Sequence, residues 1–462
     1  MMNEKKNINL RGFYNLNNFG DDLLLISILE FLTKELGFTS KNVNIYIEKK
    51  SESLAEIKFD SQIKLQYSIE FPDVVRQRLN RIFEKIHLPL KVPPPHEIGK
   101  NMFEEGASKK LQFLGYCIFA FLNLIIIVID LILYKFFRKA LFLTVYFSFV
   151  ENLDLIHYIG GGYFTDKWRL SLIAEFFNIF LAKTLNPGLK IIGTGLGLGP
   201  FNNNLARKMF NFIAKRFDYL FVRENESLEL LEDLNVDIYK KVLGDDVILL
   251  LPYLENLKNQ ANINQQNYNN IIALNLKNFP DHDYSLIKEN LENYMKLIEN
   301  QNSKIEYFCF GRKPGPDDRN LIEIFDKYFY ENLVIHDPYE DGWTSFLEKL
   351  AKADVGLGFA YHFNVILTLL SIPTISVYSG EYYRQKITGV MKLLSKDSIV
   401  WSIDKLAVEN LVEGLDFAKV LKQGLVEDKV KHLYQEMTSE YLSAYKSLLN
   451  NIPLVSLSGV SK

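Results

Sequence analysis

One imidazole in this chain stands where α/β proteins often keep a proton-transfer group. In VGLGFAYHFNVIL, Val355–Leu367, a small-residue apolar run leads into His362 just where a helix should begin. Histidine ordinarily titrates near neutrality, so His362 is the candidate general acid/base, against the plainer alternative of a core or capping histidine bonded to a loop carbonyl. In FVRENESLELL, Arg223 stands at a strand end and Ser227 enters the following helix. An arginine so placed forks onto phosphate or carboxylate, unless it is merely solvated. In GFYNLNNFGDDLLLISILEFL, Gly12–Leu32, a polar loop carrying Asn18 runs into Asp21 and Asp22, which cap a helix or, with their neighbours, hold sugar hydroxyls. HYIGGGYFTDKW sets Gly160, Gly161 and Gly162 after a buried strand, where backbone approaches a ligand without a Cβ in the way; a tight turn accounts for one glycine better than for three. IIGTGLGLGPF has neither the lysine of a Walker loop nor the spacing of a dinucleotide fingerprint, so no nucleotide site is read there. No metal motif is present, and this chemistry needs none.

These residues need strands to carry them, and the pattern supplies them. Short β-branched runs alternate with longer amphipathic ones, the signature of βαβ units and parallel sheets. Strands are expected over Ile8–Gly12, Val43–Ile47, Leu155–Ile159, Lys190–Thr194 and Tyr219–Arg223. A second series covers Ile271–Leu276, Ile305–Phe310, Leu333–His336, Val355–Gly358 and Thr374–Tyr378. The fold class is α/β, with two Rossmann-like domains facing a cleft and an apolar helical insertion in the first. Residues 1–252 form the first domain, 253–270 a polar linker, 271–400 the second domain, 401–450 C-terminal helices and 451–462 a flexible tail. Leu433, Met437, Tyr441, Tyr445 and Leu448 share one helical face, so that segment should dock.

With 462 residues, two cores are the natural division. A net charge of −3 offers no basic excess for a phosphate backbone, so nucleic acid is not an expected partner. Cys117 and Cys309 suggest reduced thiols, and the N-terminus lacks the apolar core of a signal peptide; the expected location is cytoplasmic. Phe113–Tyr134, FLGYCIFAFLNLIIIVIDLILY, is apolar but for Asn123 and Asp130, and would reach about 33 Å as a helix. A second apolar run covers Ala140–Val150. Lysines 109 and 110 precede the first run, and Lys135, Arg138 and Lys139 separate the two. One crossing would split the first domain across the bilayer. The expectation is therefore a shallow interfacial insertion within residues 111–150, its basic flanks on cytoplasmic headgroups, with a buried helix or dimer interface as the alternative.

The order of the motifs adds what none supplies alone. Asn-x-Gly-Asp opens the first helix, Gly-Gly-Gly follows a strand, then come GTGxGxGP, VRENES, GDD before a hydrophobic run, and a late strand–His–helix with SIPTISVY. In this the chain resembles the polysaccharide pyruvyl transferase family, over residues 8–60 and 153–395. The resemblance implies two Rossmann-like domains similar to glycosyltransferases of type B. It also implies transfer of a pyruvyl group from phosphoenolpyruvate, a donor substrate and not a cofactor, to a sugar of a cell-surface polysaccharide or its lipid-linked precursor. On that reading His362 is the catalytic acid/base and Arg223, Ser227 and Lys386 bind the donor. Asn18, Asp21, Asp22, Gly160, Gly161 and Gly162 face the acceptor. Inner-membrane contact and a homo-oligomer fit it. The family's Arg-x-His is broken, because Ala360 stands at the arginine position. Lys277, Arg312, Lys313, Arg384 or Lys386 are the cations within reach of replacing it. A nucleotide-sugar glycosyltransferase and a non-catalytic scaffold of the assembly apparatus are the alternative readings.

Overall fold

A computed structural model describes residues 5–14, 16–48, 63–68, 125–141, 143–264, 271–277, 288–293, 296, 304–312, 318–324, 333–394, 399–406, 410, 411, 413 and 424–449. Two sheets organise the chain, and every strand pairing in both is parallel. The first contains β1 (Lys6–Arg11), β2 (Val43–Ile47), β3 (Leu65–Tyr67), β4 (Leu155–Tyr158), β5 (Gly161–Phe164), β6 (Lys190–Leu198), β7 (Tyr219–Val222) and β8 (Tyr239–Val242). Its order is β3-β2-β1-β4-β6-β7-β8, with β5 paired to β6. The second contains β9 (Ile271–Asn275), β10 (Lys304–Phe308), β11 (Val334–His336), β12 (Val355–Gly358), β13 (Thr374–Tyr378) and β14 (Val400–Ser402), in the order β11-β10-β9-β12-β13-β14. Each sheet reverses its winding beside its first strand, between β1 and β4 and between β9 and β12. Such switch points are where open α/β sheets receive ligands.

Eleven helices are used below: α1 (Phe19–Lys34), α2 (Thr144–Glu151), α3 (Arg169–Leu185), α4 (Asn204–Ala214), α5 (Asn225–Asp233), α6 (Leu251–Asn264), α7 (Pro338–Asp341), α8 (Trp343–Leu350), α9 (Tyr361–Leu369), α10 (Gly380–Leu393) and α11 (Gly424–Leu448). All nine residues of α9 are buried, as expected of a helix that is apolar on every side. It packs so closely on β12 that a Cβ on Gly356 would lie 2.2 Å from a Leu367 methyl. Helix α11 docks as its pattern requires, with Leu433, Met437, Tyr441, Tyr445 and Leu448 all buried.

The polar stretch after Pro252 is not an extended connector as far as Asn264. It is α6, whose Leu254, Leu257 and Ala261 turn one buried side inward while Tyr253 packs 5.2 Å from Trp343 of α8. Three apolar residues at helical spacing suffice to dock a helix that is otherwise polar. Residues 265–270 and the tail 451–462 lie outside the described residues, as does the upstream half of the apolar insertion, 113–124. Residues 125–137 are helical, and no described helix is long and apolar enough to cross a membrane. Asp130 is fully buried there and accepts hydrogen bonds from the Leu141 and Leu143 amides, each at 2.8 Å, fixing the turn into α2.

The domains meet through α1. Phe19 N–H donates to Phe310 C=O at 2.8 Å, Arg312 N–H to Asn17 C=O at 2.9 Å, and Asn18 bridges Gly311. The Phe19 ring packs against Phe310 at 5.5 Å and Phe346 at 5.0 Å, so one apolar cluster runs through both domains.

Candidate functional site

The carboxyl ends of the two sheets face each other, and His362 sits between them as the second residue of α9. Its imidazole rests on the first turn of α1. A Cβ on Gly20 would lie 2.1 Å from His362 Nδ1, so that glycine is what admits the ring. Nε2 lies 3.7 Å from Asp245 Oδ2 and makes no hydrogen bond. Beside it, Arg223 from the end of β7 and Lys386 from α10 both stand over the Tyr361 ring, at 4.9 and 4.5 Å from its centroid. First-domain and second-domain cations thus converge on one imidazole.

Two buried polar groups meet here without a hydrogen-bond partner, Arg223 Nη1 and His362 Nε2, beside Asp245 and Tyr361, whose carboxylate and hydroxyl face each other. Each such group costs about 1–3 kcal/mol when left unsatisfied, so the pair marks a place for something else to complete. Burial, and then the charges of Lys386, Arg223 and Lys277, hold His362 well below its ordinary range. The near-neutral titration expected of this histidine is therefore not what its surroundings impose; it is held neutral. The group brought near neutrality is Lys386, lowered to about 7 by burial and by Arg223 and Lys277, against the opposing charges of Asp21 and Asp245. Burial pushes Asp245 up, with Arg223 opposing.

Arg223 is held rigidly. Its Nε donates to Glu224 Oε2 at 2.5 Å, and Glu224 in turn accepts from the Ser227 hydroxyl. Burial opposes its charge, and Glu224 together with Tyr361, Asp245 and Tyr382 outweighs that, raising the guanidinium. Gly197 leaves the space, since a Cβ there would come 2.1 Å from Nη2. Ser227, which the resemblance implies as a donor contact, has its hydroxyl engaged within the protein. It is fully buried, bonded to Glu224 and to the Leu198 amide at 2.8 Å, and so positions Arg223 at one remove.

The proposed acceptor wall divides likewise. Asp21 faces Lys386 electrostatically and accepts from Asn18 Nδ2 at 2.6 Å. Gly162 opens onto the same space, with the Tyr382 hydroxyl and Arg223 Nη2 3.2 and 3.4 Å from its would-be Cβ. Asp22 does not line the cleft: it is fully buried and accepts from the Tyr339 hydroxyl at 2.9 Å, tying α1 to α7. Gly160 also turns inward, packed on Leu24, its amide donating to Asp246 Oδ2 at 2.8 Å. Gly161 takes φ +103°, which suits glycine at the entry to β5.

Ala360 caps α9, its amide donating to Asn275 Oδ1 at 2.8 Å, and no charge comes from its side chain. Two of the candidate cations stand near enough to act on His362: Lys277, just beyond β9, and Lys386. Arg384 is exposed and paired twice to Glu381, at 2.7 and 2.6 Å. Arg312 lies over Tyr339 in the interdomain loop, and Lys313 is outside the described residues. Among the described residues, no cluster suited to a metal ion is present.

Sequence reasoning passed over Asp245, Tyr361 and Glu224. Asp245 and Asp246 were visible as adjacent carboxylates after Gly244, a glycine at φ +92°, but nothing local separates their roles. Asp245 faces His362, while Asp246 turns the other way. It accepts from Tyr441 at 2.7 Å and from Thr194 at 2.9 Å, and Thr194 in turn meets His157 Nε2 at 2.7 Å. The Tyr445 hydroxyl closes that buried chain on His157 Nδ1 at 2.6 Å.

The chain is 23% identical over 291 residues to the amylovoran biosynthesis protein AmsJ of Erwinia amylovora, a match covering 59% of this chain and 65% of AmsJ. In fold it is similar to a putative UDP-N-acetylglucosamine 2-epimerase from Listeria monocytogenes (TM-score 0.52, 13% identity, 96% of this chain and 97% of that one). It is also similar to a sucrose-phosphate synthase from Thermosynechococcus elongatus (TM-score 0.51, 11% identity, 96% and 99%). Those likenesses establish the paired-domain architecture of type B glycosyltransferases and nothing of substrate. The sequence profile of polysaccharide pyruvyl transferases matches residues 18–381, from the Asn18 loop to the first turn of α10, and the chain belongs to the polysaccharide pyruvyl transferase family.

Proposed function

We propose that the protein forms a pyruvyl ketal. It takes the three-carbon unit from phosphoenolpyruvate and places it on two hydroxyls of one sugar, in an exopolysaccharide or its lipid-linked precursor at the cytoplasmic face of the membrane. The observation that carries this reading is the convergence of Arg223, Lys277 and Lys386 on a neutral, unbonded His362 between facing sheet ends. A small molecule bearing both a carboxylate and a phosphate suits such a place.

The steps balance with these residues. Proton delivery to the donor's methylene carbon makes a methyl group and leaves the phosphate-bearing carbon electrophilic. One sugar hydroxyl adds there and returns its proton to His362, which has just given its own to the methylene carbon. The second hydroxyl displaces phosphate, closing the ketal, and its proton leaves on phosphate. His362 serves as the acid once charged. A bound trianion offsets the repulsion from Lys386, Arg223 and Lys277, so the imidazole gains its proton together with the donor, and Asp245 at 3.7 Å steadies the cation. Arg223 Nη1 grips the donor, and Asp21 with Gly162 orients the acceptor. Lys277 and Lys386 take over the charge that Ala360 lacks.

The test is phosphate release from phosphoenolpyruvate in the presence of candidate glycans and lipid-linked saccharides. Release that requires an acceptor and is lost in His362→Gln is expected. Turnover of a nucleotide sugar instead would move the protein to the glycosyltransferase reading. Turnover gained only in Ala360→Arg would make the natural chain a non-catalytic relative.

A further inference from the structure

The helix over residues 125–137 is apolar on both sides, and only one side is used. Ile127 and Tyr134 turn inward, with Tyr134 packing 5.1 Å from Phe147 of α2 and donating to Glu151 at 2.8 Å. The outward side carries Val128, Ile132 and Phe136, followed by Phe137, Leu141 and Val145, all exposed; Phe136 and Phe137 are 74% and 69% exposed. Of the fourteen large hydrophobic side chains exposed among the described residues, eight lie between 125 and 145. A helix apolar all round belongs in an apolar medium, and exposed apolar area so concentrated marks a contact surface.

The charges on this segment say what covers it. Lys135 and Lys139 are exposed at its end, Arg138 between them is exposed but paired to Glu151 at 2.6 Å, and its one acid, Asp130, is buried under the 141–143 turn. Protein interfaces are depleted of lysine, whereas an anionic bilayer takes apolar side chains between headgroups and lysines at its surface. The orientation follows from connectivity. Helix α2 ends three residues before β4, and Asn152 C=O accepts from Asn7 Nδ2 at the amino end of β1. The start of α2, with Leu141 before it, therefore lies toward the carboxyl edge of the sheet, where the cleft opens. Phe137 and Arg138 lie by the end of α2, since Tyr134 and Arg138 both bond the Glu151 carboxylate. Trp168, just after β5, and Leu205, in the first turn of α4 after β6, are exposed at that same edge.

We infer that residues 125–145 seat the first domain on an anionic bilayer by this flank. This deepens the acceptor side of the function proposed above, since a lipid-linked sugar is then confined to the surface the enzyme rests on. It is tested without donor or turnover, so failure of the transfer reaction leaves the result standing.

The experiment sediments the full chain with phosphatidylcholine vesicles and with vesicles containing about 30 mol % phosphatidylglycerol, at low and high salt. The chain is expected to pellet with the anionic vesicles, and Phe136→Ser/Phe137→Ser/Leu141→Ser to lower the bound fraction about tenfold with an unchanged thermal transition. Lys135→Glu/Lys139→Glu should abolish the preference for anionic lipid. A chain that stays in the supernatant with both vesicles overturns the inference. So does pelleting that survives the triple substitution, or a dimer that the triple substitution dissociates while the wild type ignores lipid.

Discussion

Two glycines decide whether the reacting side chains fit at all. Gly20→Ala drives a methyl group into the His362 ring, whose Cβ and Cγ also lie within 3 Å of it, so the whole residue must move; Gly197 does the same service for Arg223. Overpacking of this kind costs about 1–3 kcal/mol, and a misplaced acid costs rate far beyond that. Gly20→Ala is expected to keep the fold and lose at least about a hundredfold in kcat. Ser227→Ala acts through Glu224 on Arg223, so it should raise KM for phosphoenolpyruvate about tenfold and touch kcat little. In the proposed reaction Lys386 would bind donor only when charged. With a value near 7, kcat/KM for phosphoenolpyruvate should fall as pH rises through 7. Lys386→Arg should carry that limb out of the measured range, whereas a limb that stays put would assign it to another group. The strand-end arginine and the junction histidine were legible because βαβ order places such positions at the cleft. The roles of Ser227 and Asp22 were not: both are polar residues at helix starts, and only coordinates tell a group facing the cleft from one turned toward a neighbouring helix.

Between elements, the buried chain Tyr445–His157–Thr194–Asp246–Tyr441 fastens α11 to the ends of β4 and β6. Its two titrating members oppose each other. Burial raises Asp246 from 3.8 to about 7, with Tyr441 and Thr194 opposing. The folded chain thus holds an extra proton over that interval, and stability falls as pH rises through it. Burial lowers His157 from 6.5 to about 3, so the folded chain holds one proton fewer there and stability falls as pH drops. These two contributions should therefore nearly offset each other between about pH 4 and 6.5. Asp246→Asn should unmask the histidine and lose a few kcal/mol toward acid, roughly 1.4 kcal/mol for each pH step of one across that interval. His157→Gln should show the opposite slope. Chemical denaturation at stepped pH reads both. Period-two and period-3.6 patterns made most strands and helices legible, but β3, β5, β8 and β14 escaped. They are three or four residues long, and β5 is half glycine, so neither pattern has room to register.

At the scale of the whole molecule, the domains form one packed unit around α1, and the hydrogen bond from Tyr339 to Asp22 spans them. Tyr339→Phe leaves a buried carboxylate one donor short and should cost about 1–3 kcal/mol, lowering the transition temperature without dividing it in two. The two-domain architecture was legible from a single chain because alternating strands and helices admit few topologies. The domain contact was not, since Phe310, Tyr339 and Phe346 read as ordinary core residues of one domain until α1 is placed against them. The account rests on the cleft being cationic toward a small anion, and donor binding measures that directly. Thermal unfolding with phosphoenolpyruvate at about a hundred times its Kd should raise the transition by about 3 °C, and the rise should vanish in Arg223→Met/Lys386→Met. An equal rise in that variant, or a rise with nucleoside diphosphate and none with phosphoenolpyruvate, would contradict it.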